Sequence, residues 1–360
     1  MLTILDKYIL KRYLVTFLGI LLLFIPIGIM ISLAEKIGKI IDNEAPLNEV
    51  IEFYGNFSLV LGNVLMPILL FLSIIFFTSK LANNTEIVAM LSSGISYRRF
   101  LRPYFMGATL VAILIFVMGQ FIVPNASIGF NEFEYTYFKK GRQVRKTKNI
   151  FNQLNKTDYI YISTFDANRQ IGHNFTYEHF DVNNQLSYKI SAANIRWMEK
   201  DSLYRLTNYM KRTIVEGHER IETQRRLDTL FAFKIDDLTP VSYVADTKNL
   251  FELNDFIDDQ KAKGAENINT YVLVKYKRWA LPLAAYILTI IAVAVSSVKR
   301  RGGMGFNLLV GISLGTVYIF FDRIFGTLAE QAGFSPLLAV LIPNIIFAII
   351  GIYLLQKAKR

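Results

Sequence analysis

The chain contains no cysteine among its 360 residues, which excludes disulfide bonds and cysteine-ligated metal sites. Histidine is almost as scarce, because the sequence holds only His173, His179 and His218. His218 is followed by Glu219, but no second histidine stands four positions after His218, so the zinc-protease signature is missing. The sequence therefore predicts no metal centre built on cysteine or histidine.

The sequence also lacks a nucleotide-binding loop. No glycine-rich segment ends in Gly-Lys-Ser or Gly-Lys-Thr, so ATP binding through a P-loop is excluded. Gly302 and Gly303 lie in the stretch KRRGGMG, where the lysine stands before the glycines instead of after them. Serine and aspartate residues are scattered without a recognisable nucleophile context. We therefore expect a protein that is not an enzyme and holds no cofactor of its own.

Apolar residues, in contrast, are abundant and make up 52% of the chain. A helix that crosses a bilayer needs about 20 consecutive apolar residues. Six stretches meet this need, near residues 13–33, 57–77, 105–123, 279–298, 306–328 and 337–355. The sequence thus predicts an integral membrane protein with six α-helical spans, three before and three after a long central region.

The distribution of charge predicts the orientation of these spans. If the N-terminus is cytoplasmic, the short cytoplasmic segments are residues 1–12, 80–102, 299–305 and 357–360. Their lysines and arginines exceed their acidic residues, Asp6 and Glu86, by the whole formal net charge of +11. This excess obeys the positive-inside rule, so both termini are predicted in the cytoplasm. The basic character therefore reports topology, and nucleic acid is not an expected partner.

The central region has the pattern of an all-β domain. Aromatic and β-branched residues are concentrated at 159–165, 171–180, 185–198, 203–210 and 227–235, with turn-like segments between them. This spacing predicts an antiparallel sandwich or jelly roll outside the membrane, in the periplasm of a bacterial cell. The sheet either keeps its edges protected or leaves one open to a strand from another protein.

A polar helix is predicted over residues 250–264, between the β domain and the fourth span. Apolar residues recur on one of its faces, and Gly264 is a typical helix stop. The predicted organisation is therefore helices and loops over 1–123, a β domain over 124–249, a connecting helix over 250–276 and three further spans over 277–360.

The cytoplasmic loop after the second span predicts a short helix over residues 85–93. Asn84 or Thr85 suits its N-cap, Glu86 suits the positive end of the helix dipole, and Gly94 suits its end. Ile87, Met90 and Leu91 fall at the spacing of one helical face.

Two interpretations of this helix are open: it lies on the lipid surface or it docks into a partner protein. Its polar face carries no lysine or arginine, and anionic head groups would repel Glu86. A carboxylate suits an arginine on a partner protein instead. The residues therefore favour docking.

Ionisable residues mark the predicted outer ends of two spans. The first span runs on through Glu35, Lys36 and Lys39, and the fifth carries Asp322 and Arg323 near one end. Cations here run against the positive-inside bias, so Lys36, Lys39 and Arg323 are candidate contacts for a phosphate-bearing lipid head group. The alternatives are a snorkelling lysine pair neutralised by Glu35 and an interfacial ion pair at Asp322 and Arg323.

Four segments resemble the LptF/LptG family, the transmembrane subunits of the lipopolysaccharide export ABC transporter. They are LDKYILKRY at the start, TEIVAMLSSGIS in the loop, LFELNDFIDDQKAKG with YKRWALPL, and FDRIFGTLAEQAGFSPLLAVLIPN. Their order and spacing agree with the family across the whole chain. The piece from Asp322 to Gly326 is more similar to the LptG type than to the LptF type.

The resemblance implies a heterodimer of two related permease subunits above a cytoplasmic ATPase dimer of the LptB type, where ATP is bound. It implies extraction of lipopolysaccharide from the inner membrane and transfer to periplasmic bridge proteins of the LptC and LptA type. The loop helix would be the coupling helix, with Glu86 at the family's glutamate position. Lys36 and Lys39 would lie near the lipid A phosphates, and the outer domain would be a β-jellyroll.

Two other classes of protein are alternatives. A lipoprotein-releasing permease places its large outer domain after the first span, whereas this chain places it after the third. A membrane-anchored envelope scaffold without transport would use the β domain to bind partners, but it offers no reason for a capped, acid-headed cytoplasmic helix.

Overall fold

The computed structural model describes residues 3–139, 148–166, 169–198, 203–215, 218–231, 233, 243–265, 268–298 and 303–358. The chain divides into two compact units, one formed by Met1–Phe130 with Asn269–Arg360 and the other by Asn131–Ile268. The α-helices in chain order are α1 (Ile4–Asp42), α2 (Leu47–Asn83), α3 (Glu86–Ser92), α4 (Tyr97–Val117), α5 (Val123–Phe133), α6 (Leu250–Ala262), α7 (Ile268–Ser296), α8 (Gly303–Gln331) and α9 (Pro336–Ala358).

Within these described ranges, six helical runs are long and apolar enough to cross a membrane. They are α1, α2, the run from α4 through α5, α7, α8 and α9. The third run stays helical through a π-helical turn at Met118–Ile122, and a second such turn at Glu134–Phe138 ends it. Five predicted spans lie inside one run each, and the fourth, 279–298, extends two residues beyond the end of α7 at Ser296. The six-span prediction is confirmed.

The core of the first unit is centred on α2 and α7. More than half of the most apolar stretch of each of these helices is buried, whereas only 6% of that stretch of α1 is buried. Glycine allows close helix contacts: a Cβ at Gly107 of α4 would overlap the hydroxyl of Tyr13, which donates to the Tyr104 carbonyl at 3.1 Å. The exposed apolar side of α1 is therefore available to lipid or to another membrane protein.

The described residues of the second unit form one antiparallel sheet whose six strands follow one another in sequence order. They are β1 (Lys148–Gln153), β2 (Asp158–Asp166), β3 (Ile171–Phe180), β4 (Leu186–Met198), β5 (Leu203–Val215) and β6 (His218–Thr229). From Asp158 to Ile162 of β2, buried residues alternate with more exposed ones, as expected for a sheet with one apolar face. The inserted all-β domain is thus confirmed, and its described strands form a meander without a crossover.

Two strand predictions need correction. β1 was not predicted, and the strand predicted over 227–235 is wrong because β6 ends at Thr229. Beyond that strand, the Phe231 and Phe233 rings pack against Phe175 on the apolar face of the sheet, and Tyr204 donates its hydroxyl to the Phe233 carbonyl at 2.9 Å. Phe231 and Phe233, which were predicted to belong to a strand, therefore cover the core of the sheet. Residues 232 and 234–235 of that prediction lie outside the described ranges.

The two edges of the sheet differ. β6 has no neighbour beyond it among the described strands, and nearly all of its residues are exposed. On the β1 side, the Gln153 amide donates to the Lys263 carbonyl at 2.8 Å, so the segment after α6 lies against that edge. The helix predicted over 250–264 is confirmed as α6, which begins with a capping box between Asn249 and Glu252.

Candidate functional site

The short helix α3 is present in the predicted loop, and its apolar face is turned into the protein's own core. Ile87 is 2% exposed and belongs to the main core of the first unit, and Met90 and Leu91 are partly buried against that core. The surface of α3 that a partner can reach carries Val88, 58% exposed, and Ala89 instead. The spacing of the apolar residues predicted correctly that they share one face of the helix. It could not show that this face packs against the protein's own core and not against a partner.

The N-terminal end of α3 differs from the prediction, whereas its C-terminal end agrees with it. Thr85 occupies the N-cap position in a left-handed conformation, with φ 58° and without a side-chain cap hydrogen bond. Its hydroxyl donates backwards to the Asn84 carbonyl at 2.6 Å. Gly94 has φ 90°, a conformation that glycine adopts readily, so it ends this segment as predicted.

Glu86 is held by two neighbours. The Asn84 side-chain amide donates to its Oε1 at 3.1 Å, and the Tyr8 hydroxyl donates to its Oε2 at 3.3 Å. Tyr8 lies in the second turn of α1, 78 positions earlier in the chain. These contacts orient the carboxylate at the start of α3, and sequence analysis did not single out Tyr8.

A second contact joins the same part of α1 to the start of α4. The Arg99 guanidinium donates to Asp6 Oδ2 at 2.5 Å and to the Thr3 hydroxyl oxygen at 3.0 Å. The side chain of Asp6 is 3% exposed. One signal for this pair was in the sequence: Asp6 is one of the two acidic residues in the predicted cytoplasmic segments.

The lysines at the other end of α1 lie in different surroundings. The Lys36 ammonium is 5.5 Å from the centroid of the Phe53 ring on α2, a cation–π arrangement. Lys39 is exposed in the last turn of α1, where a cation also suits the negative end of the helix dipole. Both cations are therefore on the helix and end predicted for them, and their role as lipid ligands stays a prediction.

On α8 the predicted ionisable neighbours separate. Asp322 forms an ion pair with Lys277 of α7 at 3.9 Å, and both side chains are about one-third exposed. Arg323 is exposed. The interfacial ion pair considered for this position thus joins Asp322 to another helix, which leaves the Arg323 side chain available at the surface.

In the β unit, Asp158 at the start of β2 gathers polar partners. His179 Nδ1 lies 2.6 Å from Asp158 Oδ1, and the Asn155 amide donates to Oδ2 at 2.5 Å. Burial raises the pKa of Asp158, but hydrogen bonds from His179, Asn155 and Tyr177 outweigh burial and place that pKa below its usual value. The cluster is therefore built around an ionised carboxylate.

Nearly the whole chain is similar to one family of known proteins. The family model described as lipopolysaccharide export system permease LptF/LptG matches residues 7–357. The chain is 20% identical over 296 residues to the lipopolysaccharide export system permease protein LptG of Escherichia coli K12, covering 82% of this chain and 81% of that protein. The LptG of Escherichia coli O6:H1 gives the same values. The family match extends from α1 to α9 and includes α3 and the sheet.

Proposed function

We propose a function that starts from one fact: the chain belongs to the LptF/LptG family of lipopolysaccharide export permeases. On this proposal the chain is the membrane subunit that extracts lipopolysaccharide from the inner membrane and passes it to periplasmic bridge proteins. A separate cytoplasmic ATPase supplies the energy. The observation that carries the proposal is α3, a loop helix with one side packed in the core of the first unit and the other side exposed.

This arrangement suits a helix that receives a mechanical input. Ile87 packs in the same core cluster as Ile9 of α1, Leu81 of α2 and Phe100 of α4. Because protein interiors are densely packed, a push on the exposed side at Val88 and Ala89 must move the helices that hold Ile87. Glu86, at the start of the exposed side, is the residue that forms an ion pair with an arginine on the ATPase.

The substrate chemistry supports a site at the other end of α1. Lys36 and Lys39 supply positive charge that suits lipid A phosphates, and Arg323 on α8 is a further exposed cation. The exposed apolar side of α1 suits acyl chains, whose burial is favourable by about 0.8 kcal/mol per CH₂. Release of such a ligand requires an external energy source, which the ATPase provides.

The partners follow from the same proposal. A paralogous permease subunit completes the membrane part, an LptB-type ATPase dimer binds below α3, and LptC- or LptA-type proteins receive the lipid from the β unit. Both termini and α3 are then cytoplasmic, as the excess of basic residues predicts. ATP binds to the partner ATPase.

Co-purification tests the ATPase contact. We expect the ATPase, co-expressed with this chain and its paralogous subunit, to remain bound during purification. Val88→Asp should abolish that binding, because it places a charge in the centre of the exposed side of α3. The matched control is Val182→Asp, at a turn of the β unit where the valine is 94% exposed. Equal ATPase recovery with Val88→Asp and with the unmodified chain would contradict the docking role of α3.

Coupling is tested separately with Glu86→Ala. This variant should fold and bind lipopolysaccharide, but its complex should hydrolyse ATP without moving the lipid. Reconstituted vesicles allow both rates to be measured on one preparation. Normal transfer of lipopolysaccharide by Glu86→Ala would overturn the coupling role.

A further inference from the structure

The first two turns of α1 contact both ends of the loop that carries α3. Tyr8 donates to Glu86, the first residue of α3, and Asp6 accepts from Arg99, in the first turn of α4. These contacts join segments that are more than 75 positions apart in the chain, since the separations are 78 and 93 residues. The start of α1 therefore brackets α3.

The Asp6 contact is strong and buried. Besides Arg99, Asp6 Oδ2 accepts from the Thr3 amide at 2.9 Å, and the Thr3 hydroxyl accepts from the Asp6 amide, which completes a capping box. A charge-assisted hydrogen bond to a buried carboxylate is stronger than a neutral one, and loss of Arg99 removes the cationic partner of a carboxylate that is only 3% exposed. Arg99 is thus fixed to the capped end of α1.

The Tyr8 contact is weaker and lies at the surface. The Arg12 guanidinium lies 5.6 Å from the centroid of the Tyr8 ring, one helical turn further along α1, and holds the ring from one side. The Tyr8 hydroxyl then reaches one Glu86 oxygen while Asn84 takes the other. The direction of the Glu86 carboxylate consequently depends on α1.

Apolar contacts join the same three elements, α1, α3 and α4. Ile9 and Tyr13 of α1, Ile87 of α3 and Phe100 of α4 all belong to one buried cluster. From Tyr8, α1 continues as one α-helix through Pro26 to Lys36, an axial length of about 42 Å at 1.5 Å per residue. A continuous helix is a physical connection between its two ends.

We propose that Asp6 and Tyr8 are positioning residues that make α1, α3 and the first turn of α4 one moving unit. When the ATPase displaces α3, α1 then moves with it, including the end of α1 that bears Lys36 and Lys39. The inference rests on the proposed function and deepens it, because it names the path by which the coupling helix acts on the lipid end.

The first test measures lipopolysaccharide transferred per ATP hydrolysed in the reconstituted complex. Tyr8→Phe removes only the hydroxyl, so the amount of bound ATPase should not change. The transfer ratio should fall about two- to tenfold, the value of one hydrogen bond of about 0.5–1.5 kcal/mol. The control is Tyr353→Phe, an exposed tyrosine of α9. An unchanged ratio with Tyr8→Phe overturns the positioning role of Tyr8.

The second test measures movement and does not depend on transport. Because the chain has no cysteine, spin labels can be attached to Lys11→Cys on α1 and Ser93→Cys after α3 without removing native residues. If the elements move together, the distance between the labels stays the same with and without trapped nucleotide. Tyr8→Phe combined with Asp6→Asn should broaden the distribution of distances between the two labels. A nucleotide-dependent change of about one helical turn, roughly 5.4 Å, in the otherwise unmodified chain overturns the proposal.

The two tests separate the inference from the proposed function. Failure of the unmodified complex to transfer lipopolysaccharide, with an unchanged label distance, contradicts the proposed function and leaves the moving unit in place. Normal transfer with a label distance that changes contradicts the moving unit alone.

Discussion

The ammonium of Lys36 lies 5.5 Å from the centroid of the Phe53 ring, whereas Lys39, one turn further along α1, is exposed to solvent. The cation–π attraction between the Phe53 ring and the ammonium holds the Lys36 side chain next to α2. Lys39 is free to adapt to a ligand. The two lysines therefore suit different parts of a phosphorylated lipid, a fixed contact and an adjustable one.

The first prediction concerns this pair. Lys36→Glu with Lys39→Glu should abolish photo-crosslinking of lipopolysaccharide to the complex, because two phosphate-attracting charges become repulsive. Lys39→Glu alone should give a smaller loss that fades at high salt, since exposed charges are screened. Lys156→Glu in the exposed turn between β1 and β2 is the matched charge reversal. Crosslinking of the double variant at the unmodified level would reject the site.

A second prediction assigns different roles to Arg323 and to its neighbour Asp322. Arg323→Ala should weaken lipopolysaccharide crosslinking and leave the melting temperature unchanged, because its side chain is exposed. Asp322→Asn removes the partner of Lys277 on α7 and should lower the melting temperature with little effect on crosslinking. Parallel melting and crosslinking measurements on both variants check this division. A lower melting temperature with unchanged crosslinking for Arg323→Ala would give Arg323 a structural role and contradict its role as a lipid contact.

A third prediction tests the packing of α8 on α2. A Cβ added at Gly311 would overlap Cδ1 of Ile75, and Ile75→Val removes that atom. Gly311→Ala should therefore destabilise the protein by about 1–3 kcal/mol through overpacking. Adding Ile75→Val should restore most of that loss.

The control for this pair lies on the same helix. Gly305 has nothing within 4 Å of an added Cβ, so Gly305→Ala should be neutral or slightly stabilising, because alanine favours the helix by about 0.5–1 kcal/mol. Thermal unfolding in detergent measures all four proteins. Equal destabilisation by the two glycine substitutions would show that the contact with Ile75 does not govern the effect at Gly311.

Local patterns in the sequence were sufficient for most elements. The six spans follow from apolar length alone, and β2 to β5 follow from runs of aromatic and β-branched residues. The helix α6 was predicted because its apolar face and its terminal glycine lie within 15 positions, from Leu250 to Gly264. Each of these signals resides in neighbouring residues.

The failures came where distant contacts decide the outcome. β6 is polar on both faces, HERIETQRRLDT, and is a strand because β5 pairs with it along its whole length. The side on which α3 packs depends on α1, α2 and α4, and the contacts of Glu86 with Tyr8 and of Asp6 with Arg99 join residues far apart in sequence. Single-residue patterns carry no information about such pairs.

The last prediction concerns pH and the Asp158 cluster of the β unit. Because the folded pKa of Asp158 lies below the unfolded value of about 3.9, the carboxylate stabilises the fold above that pH, and this stabilisation is lost as the pH falls through the folded pKa. The stability of the β unit should therefore decrease below about pH 4. Asp158→Asn should lower stability at neutral pH and flatten this acid dependence.

The chain offers a specific probe for that measurement. It has two tryptophans, Trp197 in β4 and Trp279 in α7, so Trp279→Phe leaves a single tryptophan, which lies in the sheet. Unfolding of the full chain in denaturant, followed by Trp197 emission at several pH values, reports on the β unit alone. If the acid dependence were identical with and without the Asp158→Asn substitution, the hydrogen bonds that His179 and its neighbours make to this carboxylate would have no effect on stability.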